Sequence, residues 1–448
     1  MKKINYMIFV VLLILGSSVS AQRVLSLEES KQLALKNNTE VKNSRLEVEA
    51  SKQIRKSAIT GYFPNISAGG MIFEAEKGLM EMESHGGDLP VYDGDPANIS
   101  SATTFAYMPS ATMGLMKKGK VGFINVIQPV FAGGRIWNGN KLAGLGEDAS
   151  VYQNNLTTNE ILLKTEQQYW QIVSLEEKDK TIIKYENLLR KLLNKVEDAY
   201  SSGLVMKNDV LKVKVKLNEI LLNKSKLENG IQLAKMAFCQ HIGIENDPKL
   251  QLKDKLMIGE MPEAYFIENE EALKNRNEYK LLQLSVDAEN LKTKMKLGEY
   301  LPQVGVGLSG MYMKFDEGKD RTLGMVFATA SVPISDWWGG YHELEERSIQ
   351  EKIAENNFKN NSQLLILQME KAWQDFNDAY KEYLLSEESV EQAKENLDVN
   401  QDSYDNGLID LSDLLEAQAM LQQAEDQLTE AKSGYLTKKT EYLQVTGR

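Results

Sequence analysis

The sequence predicts a mainly α fold with some β, in which two copies of one unit each supply two strands to a β-barrel shared between chains and long helices to a coiled-coil tube. Three observations carry this. A turn motif returns in one register in the two halves, apolar heptads run past the length of an ordinary globular helix, and a period of two interrupts the helices briefly.

Tyr200-Ser201-Ser202-Gly203-Leu204, followed by Asp209, returns as Tyr404-Asp405-Asn406-Gly407-Leu408, followed by Asp413, an offset of 204 (404 minus 200). The same offset carries Pro129 onto Pro333, Glu166 onto Glu370 and Tyr169 onto Trp373. Upstream, Gly61-Tyr62-Phe63-Pro64-Asn65 matches Glu299-Tyr300-Leu301-Pro302-Gln303 at an offset of 238, so the first copy holds 34 extra residues (238 minus 204) between its two prolines. Gly86-Gly87, Asp93-Gly94 and Asp95-Pro96 predict that this insert is an irregular loop. The organisation is therefore a leader over 1–21, a first repeat over 22–245, a linker over 246–266 and a second repeat over 267–448.

The leader reads as a secretory signal: Lys2 and Lys3, an apolar run from Ile8 to Leu15, and the small-residue cleavage site Val19-Ser20-Ala21. Its apolar run is too short for a membrane anchor, which needs about 20 residues. Gln22 follows the cut, so no lipidated N-terminus is expected. Beyond the leader no apolar run suits a spanning helix, so a membrane role requires a β-barrel. Net charge is −12, becoming −14 once Lys2 and Lys3 leave, which disfavours nucleic acid as a partner. The one cysteine, Cys239, excludes an intrachain disulfide and reads as a small packed residue among Ala237, Phe238 and Ile242. His85, His241 and His342 lie far apart and are read as surface or packing residues.

Each copy then runs helix, strand, loop, strand, very long helix, tight turn, helix. The helices are expected at 26–60, 137–201 and 207–241, then at 267–298, 340–405 and 411–445. The stretch 137–201 alone would be about 95 Å long. Leu414, Leu421, Leu428, Tyr435 and Tyr442 are spaced by seven, with Ala417, Ala424 and Ala431 between them. The offset carries this seam onto Val210, Leu217, Lys224, Ile231 and Phe238, with Val213, Ile220 and Leu227 between. Ile182, Leu189 and Val196, with Tyr185, Leu192 and Ala199, form a similar seam on the preceding helix.

Between the helices, Val304, Val306, Leu308 and Tyr312 alternate with Gly305, Gly307, Ser309 and Met311, which suits a strand with one apolar face. Ile66, Ala68 and Ile72 against Ser67 and Gly69 repeat the pattern. Pro64 and Pro302 stand where the preceding helices must end. Return strands are expected near 121–130 and 322–332. Trp137, Trp337 and Trp338, where strand gives way to helix, read either as membrane-interface aromatics or as helix packing. Four strands cannot close a barrel, since the smallest bacterial barrels have about eight, so several chains must share one.

In this order the residues resemble the TolC-type outer-membrane efflux channel family over essentially the whole mature chain. The features are the opening from Ser26-Leu27-Glu28-Glu29 to Asn37-Asn38, the Gly61-Tyr62-Phe63-Pro64 strand start, the two Tyr-x-x-Gly-Leu turns, and Asp413-Leu414-Leu415-Glu416-Ala417-Gln418. The resemblance implies a homotrimer with a barrel in outer-membrane lipid, continued by a periplasmic helical tunnel. It implies an exit duct that works with a periplasmic adaptor protein and an inner-membrane transporter. It places adaptor docking at Tyr200, Gly203 and Leu204 and at Tyr404, Gly407 and Leu408. A periplasmic aperture would be ringed by Asp413 and Glu416, with Asp209 from the first turn, where Lys212 replaces the second acid. Ile409 stands where some members carry a latching arginine, so that latch is not expected here.

No nucleophile triad, phosphate loop or metal cluster is evident, so the reading is not an enzyme and needs no cofactor. The other class is a secreted or periplasmic coiled-coil scaffold, which would be water-soluble. Met71, Met80, Met82, Met108, Met113 and Met116 gather in or beside the insert with His85 near; they suit either a soft-metal relay or adaptable apolar packing.

Overall fold

The computed structural model describes residues 23–91, 94–101, 103–316 and 319–448; the expected leader, 1–21, lies outside them. The chain divides into a helical unit (residues to 52, 146–286 and 353–448) and a strand-containing unit (53–145 and 287–352).

In the strand unit, β2 (Asn65–Glu74), β7 (Lys118–Ala132), β9 (Gln303–Phe315) and β10 (Arg321–Ser331) form one sheet in the order β10-β9-β7-β2. All three pairings are antiparallel, with Glu74 opposite Lys118, Gly119 opposite Phe315 and Arg321 opposite Met313. A bulge between Pro129 and Phe131 falls where proline has no N–H for the ladder. Within the chain, β2 and β10 are edges.

Register assigns the faces. Ile66, Ile72, Ile124, Leu308 and Val326 share one face, and Ile72 and Val326 are 77% and 79% exposed. The opposite face is crowded: a Cβ at Gly307 would lie 2.4 Å from the Phe327 ring, and one at Gly69 would lie 2.5 Å from Phe123. These glycines let aromatic rings lie flat on the backbone. This face also carries Phe73 and Phe315, 6.3 Å apart edge to face, so it is less uniformly small and polar than the alternation at 305–311 suggested.

The insert departs from expectation. Instead of irregular loop it forms two ladders, β3 (Met80–Ser84) with β6 (Ala111–Leu115) and β4 (Gly87–Pro90) with β5 (Phe105–Met108). The predicted breakers act locally. Gly86 separates the two ladders, and Gly94 and Asp95 lie in the connection between β4 and β5, while β-favouring Phe105, Tyr107 and Thr112 pair between them.

In the helical unit, β1 (Val24–Leu25) pairs in parallel with β8 (Gln251–Leu252), tying the N-terminal segment to the 246–266 stretch. The expected helix 26–60 is two helices, α1 (Leu27–Asn37) and α2 (Thr39–Ile59), and 267–298 is likewise α5 (Asn269–Asn275) and α6 (Asn277–Glu299). Asn38 and Arg276, which separate them, are related by the offset of 238 and both take an extended ψ of 134°. Asn38 Nδ2 donates to the His241 carbonyl, and the buried Arg276 guanidinium binds Glu278, so the interruption is held twice by polar side chains.

The long helices are α3 (Arg135–Ser201) and α7 (Trp337–Asp405), continued after the turns by α4 (Lys207–His241) and α8 (Leu411–Val445). The predicted seams are buried: Ile182, Tyr185 and Leu189 pack on Leu217 and Ile220, and Leu192 and Val196 on Val210, Val213, Leu411 and Leu414. Lys224, the one charged seam position, binds Glu186 on α3 at 2.9 Å, and Arg190 holds the same carboxylate. Those two cations keep the Glu186 carboxyl below its ordinary range. Towards the other end, Phe376, Tyr435 and Tyr442 form an aromatic core covered by Ile258, Tyr265 and Ile267. Cys239 is buried with Phe238 and Tyr169.

Candidate functional site

The two Tyr-x-x-Gly-Leu segments fold identically. At the end of α3, Leu204 N donates to the Ala199 carbonyl at 2.9 Å and Gly203 N to that of Tyr200 at 3.0 Å. At the end of α7, Leu408 N donates to Ser403 at 2.8 Å and Gly407 N to Tyr404 at 2.9 Å. Both are Schellman C-caps, in which the glycine must take the left-handed conformation. Gly203 has φ +75° and Gly407 φ +71°. The leucines follow outward, 78% exposed at Leu204 and 77% at Leu408, and Met206 adds a third exposed apolar side chain.

Each following helix begins with a carboxylate cap. Asp209 accepts from Met206 N at 3.3 Å, and Asp410 accepts from Ser412 N at 2.6 Å and Asp413 N at 3.3 Å. The backbone donors hold the Asp410 carboxyl below the usual range.

Side chains join the two turns. Lys212 Nζ donates to Ser412 Oγ at 2.9 Å and lies 3.7 Å from Asp209 Oδ1, while Lys195 lies 3.7 Å from Asp405. Tyr404 packs on the core of Leu192, Val196, Val210, Val213, Leu411 and Leu414. Burial raises its phenol pKa, with Asp209 and Asp405 adding to the shift. The structure thus brings together Tyr404, Asp209, Lys212 and Ser412. Asp413 and Glu416 make no contact with this group among the described residues; both are exposed on α8, whose Leu414 and Ala417 are buried. Sequence reasoning saw Lys212 only as a missing acid; its role as a bridge becomes visible when the register places it beside Ser412. Further along, Tyr185, Leu188, Leu397, Gln418 and Leu421 line a groove of about 210 Å³. In it Tyr185 Oη and Gln418 Oε1 have no protein hydrogen-bond partner.

In the strand unit Trp137, Trp337 and Trp338 are all exposed at the starts of α3 and α7. Trp337 Nε1 donates to the Tyr300 carbonyl at 2.8 Å, and the Lys141 ammonium sits 3.7 Å from the Trp137 ring centre. His241 is buried, 3.0 Å from Thr165 Oγ1, and burial lowers its pKa. Among the described residues no group of three His, Cys, Asp or Glu side chains could hold a metal ion, and no helix is long and apolar enough to cross a membrane.

Residues 269–448 match the family model described as outer membrane efflux protein. No curated protein matches the sequence significantly. Solved structures share the fold over nearly its full length. The outer membrane protein VceC of Vibrio cholerae aligns with a TM-score of 0.74 at 13% identity, covering 94% of this chain and 96% of its own. The Campylobacter jejuni CmeC outer membrane channel gives 0.74 at 16%, covering 94% and 85%. The Neisseria gonorrhoeae MtrE outer membrane channel gives 0.73 at 14%, covering 96% and 93%. The fold is therefore shared where little of the sequence is.

Proposed function

We propose that the protein is the outer-membrane exit duct of a tripartite efflux or secretion system, and that it works as a homotrimer. The observation that carries the reading is the sheet, with two open edges and one face of exposed aliphatic side chains. An open edge presents unpaired N–H and C=O groups, which lipid cannot satisfy. Three copies joined edge to edge, β2 of one on β10 of the next, would close a barrel whose apolar face meets lipid. Trp137, Trp337 and Trp338 would lie at the periplasmic interface, and the insert would project outside the cell.

The paired turns then fall at the periplasmic end. Leu204, Met206 and Leu408, held outward by the glycine caps, offer an apolar surface to the hairpin of a periplasmic adaptor, which couples the duct to an inner-membrane transporter. Asp413 and Glu416, repeated threefold, would ring the aperture. The protein does no chemistry in this scheme; transport is driven by the partner.

The test is the native mass of detergent-extracted protein together with a panel of cysteine pairs along β2 and β10. Disulfide-linked trimers are expected. A stable water-soluble monomer would favour the scaffold reading and overturn this one.

A further inference from the structure

The aliphatic face of the sheet ends in cations. Register sets Lys120 of β7 directly opposite Lys314 of β9, on the same face as Ile124 and Leu308. Lys118, two residues along, stands opposite Glu74 and binds it at 2.6 Å. Lys314 reaches Asp320 at 3.6 Å, and Tyr312 donates to the same Asp320 carboxylate at 2.7 Å. Among the described residues Lys120 has no ion-pair partner.

Two features of this arrangement call for a ligand. Directly opposed residues in an antiparallel pair have Cβ atoms about 4.5–5.5 Å apart, and like charges there are destabilising. Glu74 and Asp316 face Lys118 and Asp320 faces Lys314, so the directly opposed Lys120–Lys314 pair is kept where neutral residues would serve an isolated sheet better. The second feature is the other neighbour of Lys120, Ile72, which is highly exposed and belongs to the aliphatic face. A molecule seated here meets an ammonium pair on one side and apolar surface on the other. Tyr312, half exposed on the same face, adds the amphipathic ring found at membrane interfaces. All of this lies at the loop end of the sheet, beside the insert and the β9–β10 connection, away from the starts of the long helices.

We infer that Lys120 and Lys314 bind the phosphate of a phosphorylated lipid headgroup in the outer leaflet, with the acyl chains lying along Ile72 and the aliphatic face. The inference rests on the outer-membrane duct reading, which puts this end outward. A phosphate between the two ammonium groups turns their repulsion into two charge-assisted hydrogen bonds. Lys118, already neutralised by Glu74, contributes less. The contact would fasten each protomer to the outer leaflet at a defined height.

The experiment is native mass spectrometry of the delipidated, detergent-solubilised protein. A bisphosphorylated glucosamine-based lipid, the same lipid dephosphorylated, and inorganic phosphate are added in separate arms. The wild type should retain the phosphorylated lipid at least about tenfold better than the dephosphorylated one, the size expected of hydrogen bonds to charged groups. Lys120→Gln combined with Lys314→Gln should abolish that preference with the oligomer intact. Arg321→Gln, at the same level but on the opposite face, should keep it. Equal retention of both lipids by the wild type, or an undiminished preference in the double variant, would overturn the inference. So would displacement of the lipid by inorganic phosphate at equal concentration, which marks a simple anion site. The oligomer mass in the same spectra separates the two readings: a trimer without phosphate preference removes the lipid site alone, and a soluble monomer removes the duct.

Discussion

Replacing Gly407 by valine tests the turn most directly, because the structure isolates a single energy term. The residue sits at φ +71°, and a Cβ there would meet nothing within 4 Å, so the cost is backbone conformation and not collision. A β-branched residue in the left-handed region costs about 1–3 kcal/mol. Replacing glycine also stiffens the unfolded chain, which returns about 0.4–1 kcal/mol. The net is about 1–2 kcal/mol per chain, a factor of about 5–30 in the opening equilibrium of the turn. The Leu408 amide, bonded to the Ser403 carbonyl at 2.8 Å, reports it. Its hydrogen exchange should accelerate by that factor in Gly407→Val and by less than about threefold in Gly407→Asn, since asparagine tolerates this region. Export should fall in the valine variant while oligomer and sheet persist, and Gly203→Val, at φ +75°, should act alike. Equal exchange rates in the valine and asparagine variants would refute the conformational argument. Loss of the oligomer would show that the turn holds the assembly together and does not serve docking.

The remaining expectations concern other parts of the molecule. Leu189→Ala, at a fully buried seam position, should lower unfolding free energy by about 2–5 kcal/mol in denaturant titrations; Lys224→Met should also destabilise, because it leaves the buried Glu186 carboxylate without its main partner, whereas Lys224→Met combined with Glu186→Leu should recover most of that loss. The buried His241 has its pKa lowered, so its contribution is complete above the unfolded value of about 6.5 and is lost as pH falls through and below it; His241→Gln should flatten the acid side of a melting-temperature profile. An epitope at Gly94 should be labelled on intact cells, and labelling only after the outer membrane is breached would reverse the proposed orientation. Asp413→Asn with Glu416→Gln should reduce cation selectivity and multivalent-cation block in planar bilayers; unchanged selectivity would assign both to a solvated helix face.

Where one periodic signal controlled the structure, the sequence was legible. The heptads at Leu189, Val213 and Leu414 placed buried seams because a seven-residue spacing keeps one helix face on its partner, and the glycines at 203 and 407 announced their caps because few other residues take positive φ. What stayed hidden depended on which residues the fold brings opposite one another. The breaks at Asn38 and Arg276 carry no proline or glycine; they exist because polar side chains bind distant backbone and carboxylate groups, which local propensity does not record. The ladders of the insert escaped because their breakers, Gly86 and Gly94, fall at joints and connections and leave the paired stretches intact. Lys212 is the sharpest case. On one helix it is a cation where an acid was expected, and its function as a link follows only from the approach of a second helix bearing Ser412. The duplication also argues against reading the two turns as interchangeable. The first brings Asp209 and Lys212 inward to Tyr404 and Ser412, while the second leaves Asp413 and Glu416 free on the exposed face. The two copies therefore contribute different residues to the join, Asp209 and Lys212 from the first and Tyr404 and Ser412 from the second, which an identical repeat would not do.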